Sequence, residues 1–249
     1  MRPLLDKIRP KNGVSYFVHL GLVLLLPLLV FILVRLNFVS LALLTIVLSK
    51  WRMFAVKPRF WGSNIRANAI DLMVGMSIVL FMANSMSVTV QLLWAVAYVV
   101  WLLAIKPRHS IAATTTQAFI GQLAALSALY QTWPDAPVVA LTLATGLFCY
   151  LAARHFLDAF DEPYARMLSY FWGYFGAALA WLLSHWALVY QGVSQVTLLL
   201  CTLGYGMAVL YYLDHKDKLG KATRRQFIFI MLAIVLVVIT FSDWGDKVI

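Results

Sequence analysis

The chain alternates long apolar segments with short polar ones. Nine apolar segments of 14 to 25 residues are separated by charges, prolines and amides. A helix that crosses the roughly 30 Å hydrocarbon layer of a bilayer needs about 20 apolar residues. The pattern therefore predicts transmembrane helices rather than the amphipathic helices of a soluble fold. The nine predicted spans are 17–34, 36–49, 69–87, 89–105, 111–130, 137–153, 166–190, 194–213 and 226–243.

The second predicted span, 36–49, is the shortest. Its 14 residues fall below the roughly 17 that a perpendicular span needs. Crossing would require snorkelling by Arg35 and Lys50 or local thinning of the bilayer. The alternative is that 36–49 stops partway and forms a re-entrant pair with 17–34.

The composition agrees with a membrane protein. Hydrophobic residues make up 63% of the chain and charged residues 12%, against about half and about a quarter in soluble domains. Such values exclude a soluble globular protein, a disordered chain and a disulfide scaffold. Cys149 and Cys201 lie inside apolar segments, far apart in sequence, and are predicted as small core residues. We expect an all-α, polytopic transmembrane helix bundle, forming one integral membrane domain over 1–249 with a basic cytoplasmic N-terminal segment 1–16 and no soluble domain.

The positive charges lie mostly on one side of the predicted spans. With nine spans and a cytoplasmic N-terminus, 18 of the 20 basic residues face the inside, and only Arg35 and Lys247 face outside. This is the bias of the positive-inside rule, so the net charge of +10 indicates orientation. Short basic loops beside a membrane suit anionic lipid and make nucleic acid a poor partner. We predict a multi-pass protein of the bacterial inner membrane with its C-terminus outside.

Segment 50–61 interleaves four aromatic residues with four cations. Rings and cations together favour the headgroup layer of a bilayer. The segment is typical of a topology anchor. The alternative is a site for anionic lipid or polyphosphate, in which Lys57, Arg59 and Arg66 would be the donors.

Asp71 lies where the third predicted span begins, three residues after Asn68. The spacing is typical of an N-cap followed by an acid in the first helical turn, with Arg66 within reach. An acid inside a membrane is costly unless it is paired, so Asp71 is also a candidate substrate or proton site.

The densest polar cluster is segment 154–166, between the sixth and seventh predicted spans. If the helix continues, His155, Asp158 and Glu162 share one face, with Asp161 on an adjacent one. These four residues are the candidate catalytic groups, as a carboxylate base beside an imidazole. The alternative is structural, with the acids capping the next helix and an ion pair from Arg154 to Asp158. The residues of segment 154–166 do not match a recognised metal-binding motif. We therefore predict no metal site and no cofactor.

Amides and an imidazole interrupt the fifth and seventh spans. Gln117 and Gln122 lie in the fifth span, and His185 lies near the outer end of the seventh. Buried amides need an interhelical partner or a hydrated cavity, so these residues are candidates for a substrate path, with Cys201 and Tyr205 of the eighth span nearby. The seventh span also carries a seam of small residues: Gly173, Ala177, Ala180 and Ser184.

The chain contains no HExxH zinc motif, GxSxG elbow, P-loop or GxGxxG sequence. We therefore favour a non-enzymatic protein that transports or binds a small or lipid-like molecule through the polar faces of spans five and seven. One alternative is a membrane-embedded enzyme that acts on lipid headgroups at the cytoplasmic rim. Another is a structural or assembly subunit, in which the small-residue seam supports a homo- or hetero-oligomer.

Overall fold

The computed structural model describes residues 14–108, 110–185, 187–190 and 193–244. Over these residues the chain is predominantly helical, which confirms the all-α prediction. The predicted basic segment 1–16 lies outside the described residues except for its last three positions, which begin the first helix. The α-helices are α1 (Val14–Arg35), α2 (Val39–Leu48), α3 (Trp61–Ala67), α4 (Ala69–Ala83), α5 (Val88–Val100), α6 (Ile111–Thr132), α7 (Val138–Asp158), α8 (Ala165–Leu183), α9 (Gln195–His215) and α10 (Lys221–Thr240).

Shorter elements complete the described chain. Two 3₁₀ helices, Trp51–Met53 and Pro58–Phe60, precede α3, and a π-helical turn, Trp101–Ile105, continues α5. Three short strands, β1 (Ala187–Tyr190), β2 (Val193–Ser194) and β3 (Asp243–Trp244), form an antiparallel sheet in the order β2-β1-β3.

The small sheet corrects the end of the seventh predicted span. The sequence predicts helix over 166–190, but α8 ends at Leu183 and Ala187–Tyr190 is strand. In β1, Tyr190 pairs with Val193 of β2, and Ala187 pairs with Trp244 of β3. Strand pairing satisfies backbone groups as a helix does, and an apolar run alone does not distinguish the two.

Four helical segments are long and apolar enough to cross a membrane: Val88–Ile105, Val138–Asp158, Gln195–His215 and Lys221–Thr240. A fifth is possible if Pro58–Ala67 and Ala69–Ala83, bent by 65° where they meet, count as one span. These helices are compatible with an integral membrane protein. The predicted count of nine spans is not supported, although each predicted span overlaps a helix.

The other predicted spans fall short in length or in hydropathy. Helix α2 has 10 residues, which at 1.5 Å per residue is about 15 Å, half the hydrocarbon thickness. Helix α4 has 15 residues, and in α1 the apolar stretch Val23–Arg35 is also short. Helices α6 and α8 are long enough, but their mean hydropathy is lower. Threonines and glutamines lower it in α6. Arg166 and several tyrosines and tryptophans lower it in α8.

A tight turn joins α1 to α2. Asn37 adopts a left-handed backbone conformation with φ of 61°, which asparagine tolerates better than most residues. The amide of Phe38 donates to the Leu33 carbonyl at 2.8 Å, and the amide of Asn37 donates to Val34 at 3.0 Å. The chain reverses, and α2 packs against α1. A hairpin fits both a second segment that crosses and one that is re-entrant, so these two alternatives stay predictions.

The chain divides into two compact units. The smaller consists of Met1–Trp51 and Ile78–Pro107, and the larger consists of Arg52–Ser77 and Arg108–Ile249. In the smaller unit, α1 packs against α2 and α5. The expectation of one integral membrane domain over 1–249 stays a prediction.

In the larger unit, α7 and α8 pack most closely, because glycines line their contact. A Cβ atom placed on Gly173 would lie 2.9 Å from the Gly146 carbonyl oxygen and 2.9 Å from the Cβ of Tyr150. A Cβ on Gly176 would lie 2.7 Å from the sulfur of Cys149. Cys149 and Cys201 are both buried and free, which confirms their prediction as core residues.

Candidate functional site

A cavity of about 460 Å³ lies in the larger unit between α6, α7, α8 and α9. Most of its wall is aliphatic or aromatic. The volume is within the range of about 300–1,000 Å³ that is usual for small-molecule sites. Polar or aromatic wall residues come from all four helices: Thr115 and Gln122 from α6, Phe156 from α7, Trp172 from α8, and Tyr205 and Tyr211 from α9.

The cavity wall is partly exposed at the protein surface. Its most exposed wall residues are Phe171 of α8, at 75% exposure, and Tyr205 and Met207 of α9, at 49% and 46%. All three side chains are large, and Phe171 and Met207 are wholly apolar. The exposed part of the cavity wall therefore belongs to α8 and α9 and is formed by large aromatic and apolar side chains.

Gln122 is fixed in the cavity wall by two interhelical hydrogen bonds. Its Oε1 accepts from the indole Nε1 of Trp172 at 3.1 Å, and its Nε2 donates to the carbonyl of Leu200 at 3.2 Å. A Cβ on Gly204 would lie 3.0 Å from the Trp172 ring and 3.3 Å from the Gln122 amide. The glycine thus leaves space for this contact between α6, α8 and α9.

One end of the cavity carries the Tyr211–Glu162 pair. The hydroxyl of Tyr211 donates to Oε2 of Glu162, and Oε1 of Glu162 accepts from the backbone amide of Tyr164 at 3.4 Å. The Tyr211 ring packs edge-on against Phe156 and Phe160, with centroids 5.7 and 5.0 Å away. Glu162 thereby lies behind a wall residue, in the turn that joins α7 to α8.

The threonines of α6 are bonded within their own helix. The hydroxyls of Thr114, Thr115 and Thr116 donate to the carbonyls of Ser110, Ile111 and Ala112, at 3.2, 2.9 and 2.9 Å. Such bonds to the carbonyl four residues earlier are common for threonine in helices. Of these three threonines, only Thr115 lines the cavity.

The candidate catalytic residues have separate partners. His155 Nε2 lies 3.2 Å from Oε1 of Gln117, whose Nε2 donates to the Arg108 carbonyl at 3.0 Å. Asp158 pairs with Arg154 at 2.9 Å, which confirms the predicted ion pair. Glu162 bonds Tyr211, and Asp161 occupies the turn with a left-handed φ of 52°. In the described part of the chain, no three His, Cys, Asp or Glu residues are grouped so that they could hold a metal ion.

Three of the candidate path residues lie off the cavity wall: Gln117, His185 and Asp71. His185 follows the end of α8, where its Nδ1 lies 2.7 Å from the Trp181 carbonyl. Asp71 is buried in the first turn of α4. Of the four path candidates, only Gln122 therefore contributes to the cavity.

Asn68 lies directly before α4, at the position of its predicted N-cap, and it is also the C-cap residue of α3. Its side-chain amide donates to the Asn64 carbonyl at 2.9 Å, at the end of α3. This bond joins the side chain to the last turn of α3. Helix α4 begins at the next residue, Ala69.

The basic aromatic segment presents its rings and cations outward. Lys57 and Arg59 are exposed, and the Arg59 guanidinium lies 4.5 Å from the Phe60 ring centroid. The indole of Trp61 donates to the Val56 carbonyl at 3.0 Å, which folds the segment back on itself. Arg66 lies half-buried in α3. None of these three cations lines the cavity.

Sequence reasoning identified Gln122 and Glu162 but missed Trp172 and Tyr211. The missed residues are aromatic side chains in apolar helices, and tryptophan and tyrosine at such positions are ordinary. Their partners lie 50 and 49 residues away in sequence. No local signal points to those pairs.

Comparison with known proteins gives no relative: no protein-family model, curated protein or solved structure matches this chain.

Proposed function

We propose that this is a polytopic membrane protein that binds a lipid-like molecule in the cavity between α6, α7, α8 and α9. The observation that carries the proposal is the combination of an apolar wall with the exposed wall residues Phe171, Tyr205 and Met207 on α8 and α9. In a membrane-embedded bundle, these large side chains face hydrocarbon. A ligand that enters from hydrocarbon must itself be largely apolar. Tyr211 and Thr115, both in the wall, supply the few polar groups that orient a ligand in such sites.

The hydrogen bonding favours binding over the passage of a polar solute. A hydrated path needs polar groups that face water, whereas the threonines of α6 bond their own helix and Gln117 bonds His155 and Arg108. We therefore propose a lipid-like ligand that stays bound in the cavity. Gln122 forms part of the cavity wall and does not line a channel.

For the membrane arrangement, we propose nine membrane-embedded segments, with the N-terminus in the cytoplasm and the C-terminus outside, in a bacterial inner membrane. The asymmetry of basic residues supports this orientation. In this arrangement α2 is a re-entrant arm, or it crosses with the bilayer thinned around it. Lys57, Arg59 and Arg66 contact anionic lipid on the cytoplasmic face.

The first test is lipid retention by the purified protein. Ala153 lines the cavity on α7, and Ala140 is exposed on the same helix away from it. We expect native mass spectrometry of the wild type in mild detergent to show a bound lipid-sized adduct. Ala153→Phe fills part of the cavity and should lose that adduct, while Ala140→Phe should keep it. Equal retention by both variants, or a wild type that carries no adduct, would overturn the proposal.

The other two interpretations stay predictions. An enzyme at the cytoplasmic rim would use His155, Asp158, Asp161 and Glu162, and a purely structural subunit would use the small residues of α8. The separate pairing of Asp158 with Arg154 and of Glu162 with Tyr211 favours neither.

A further inference from the structure

We propose that the ligand of this cavity is an amphiphile whose head is a hydrogen-bond donor, an alcohol or an amine, and not a phosphate or carboxylate. The inference rests on the proposed function. It adds the chemical class of the head and its position, beside Tyr211 and Thr115.

The two hydroxyl groups at this end of the cavity both donate hydrogen bonds within the protein. Tyr211 donates to Glu162, and Thr115 donates to the Ile111 carbonyl at 2.9 Å. A hydroxyl has one proton and two lone pairs. Both groups therefore offer a ligand lone pairs only, so the ligand must be the donor.

The charge near this end is negative. Glu162 lies directly behind Tyr211, and Asp214 follows one helical turn further along α9. No residue of the cavity wall in the described chain is a lysine or arginine. Of the cations that flank the α7–α8 turn, Arg154 is paired with Asp158, and the Arg166 guanidinium lies 5.8 Å from the Tyr170 ring centroid. An acidic head would therefore enter a low-dielectric site beside like charge and without a cation, which is costly.

The opposite end of the cavity suits the apolar tail. There the polar groups of Gln122 and Trp172 bond each other at 3.1 Å, and Phe175 and Leu203 complete the wall. Thr115 and Gln122 are seven residues apart on α6, or about 10 Å along the helix axis. A chain that extends from the head at Tyr211 thus runs along apolar wall.

The test uses three photoreactive probes with the same diazirine-bearing alkyl chain. One ends in a hydroxyl, one in a primary amine and one in a carboxylate. Each is crosslinked to the full-length protein in nanodiscs of neutral phosphatidylcholine, and labelled peptides are quantified by mass spectrometry. We expect the alcohol and the amine to label the cavity peptides that contain Phe171 and Met207. The carboxylate should label them about tenfold less, the size of one lost hydrogen bond.

Glu162→Gln tests the origin of this preference. The variant should lower labelling by the amine relative to the alcohol and raise labelling by the carboxylate. Asp217→Asn is the matched control, since it removes the same charge from an exposed loop residue whose φ of 53° asparagine tolerates. It should leave all three yields unchanged.

The outcomes separate this inference from the proposed function. Strong cavity labelling by all three probes, or no effect of Glu162→Gln, would overturn the inference about the head and leave lipid binding in place. Absence of cavity labelling by every probe would overturn the proposed function itself. If Glu162→Gln does not fold, the labelling of the wild type by the alcohol, the amine and the carboxylate still tests whether the head must be a hydrogen-bond donor.

Discussion

Gln122 joins three helices through one side chain. It lies on α6, accepts from Trp172 of α8 and donates to the Leu200 carbonyl of α9. The residue is buried at 6% exposure. In a membrane interior, interhelical hydrogen bonds of this kind contribute about 0.6–2 kcal/mol each. Gln122 therefore holds the cavity wall in place as well as forming part of it.

We expect Gln122→Leu to destabilise the protein by about 1–3 kcal/mol, because it removes the partner of the half-buried Trp172 indole and a buried hydrogen bond to the Leu200 carbonyl. The measurement is unfolding in detergent, followed by tryptophan fluorescence. Gln131→Leu, at an exposed position near the end of the same helix, is the control and should change stability little. Similar losses in the two variants would contradict the structural role of Gln122.

The sequence indicated that buried amides in α6 require partners, and the structure supplies them. It did not indicate which partners, because Trp172 is 50 residues away. The threonines at 114–116 add further polar side chains to α6. They resemble a polar face, yet their hydroxyls are satisfied by carbonyls of the same helix, and composition does not reveal that.

At the scale of elements, the α7–α8 pair shows how small residues set helix separation. Of the predicted seam of Gly173, Ala177, Ala180 and Ser184, Gly173 and Ala177 meet Gly146 of α7, where the two backbones come together. Ser184 follows the end of α8. Close backbone approach through small residues is a common packing mode in membranes. This contact was predictable in part because its residues recur at helical spacing on one element.

Gly173→Ala should lower the melting temperature, because the new Cβ would lie 2.9 Å from the Gly146 carbonyl oxygen. Thermal unfolding in detergent, followed by size-exclusion chromatography, measures the effect. Gly62→Ala is the matched control, since its Cβ would meet nothing within 4 Å. Alanine favours helix over glycine by up to about 1 kcal/mol, so the control should be neutral or slightly stabilised. A stabilised Gly173→Ala would show that the helices can separate at no cost.

Helix ends were harder to predict than helix positions. The predicted span 166–190 has no charge after Arg166 to mark its end, so the sequence pattern continues past the point where α8 stops at Leu183. Beyond that end, β1 pairs with β2, which follows it after two residues, and with β3, which lies after α9 and α10. Hydropathy contains no information about such long-range pairing.

At the scale of the whole molecule, α6 is the helix that best tests the nine-span proposal. If α6 crosses the bilayer, Arg108→Cys and Asp135→Cys should react with a membrane-impermeant maleimide from opposite sides. Lys218→Cys should react from the same side as Arg108→Cys. Intact cells and everted vesicles distinguish the sides. Background is low because Cys149 and Cys201 are buried. If positions 108 and 135 react from the same side, α6 does not cross the bilayer and the nine-span proposal is wrong.

The cavity could not be predicted from the sequence, although most of its helices could. Its wall draws residues from α6, α7, α8 and α9, and each contributing residue is unremarkable within its own helix. A cavity depends on how far apart helices pack, which is set by contacts such as those at Gly173 and Gly204. Those contacts join positions that are distant in sequence.

The small sheet places a parity condition on the membrane topology. Backbone hydrogen bonds pair Ala187 of β1 with Trp244 of β3, and paired strands must lie on the same face of the bilayer. The chain between them must then cross an even number of times. Helices α9 and α10, both long and apolar enough to cross, therefore cross together or not at all. A tag placed after Trp244 reports the side of the α8–α9 connection as well as that of the C-terminus.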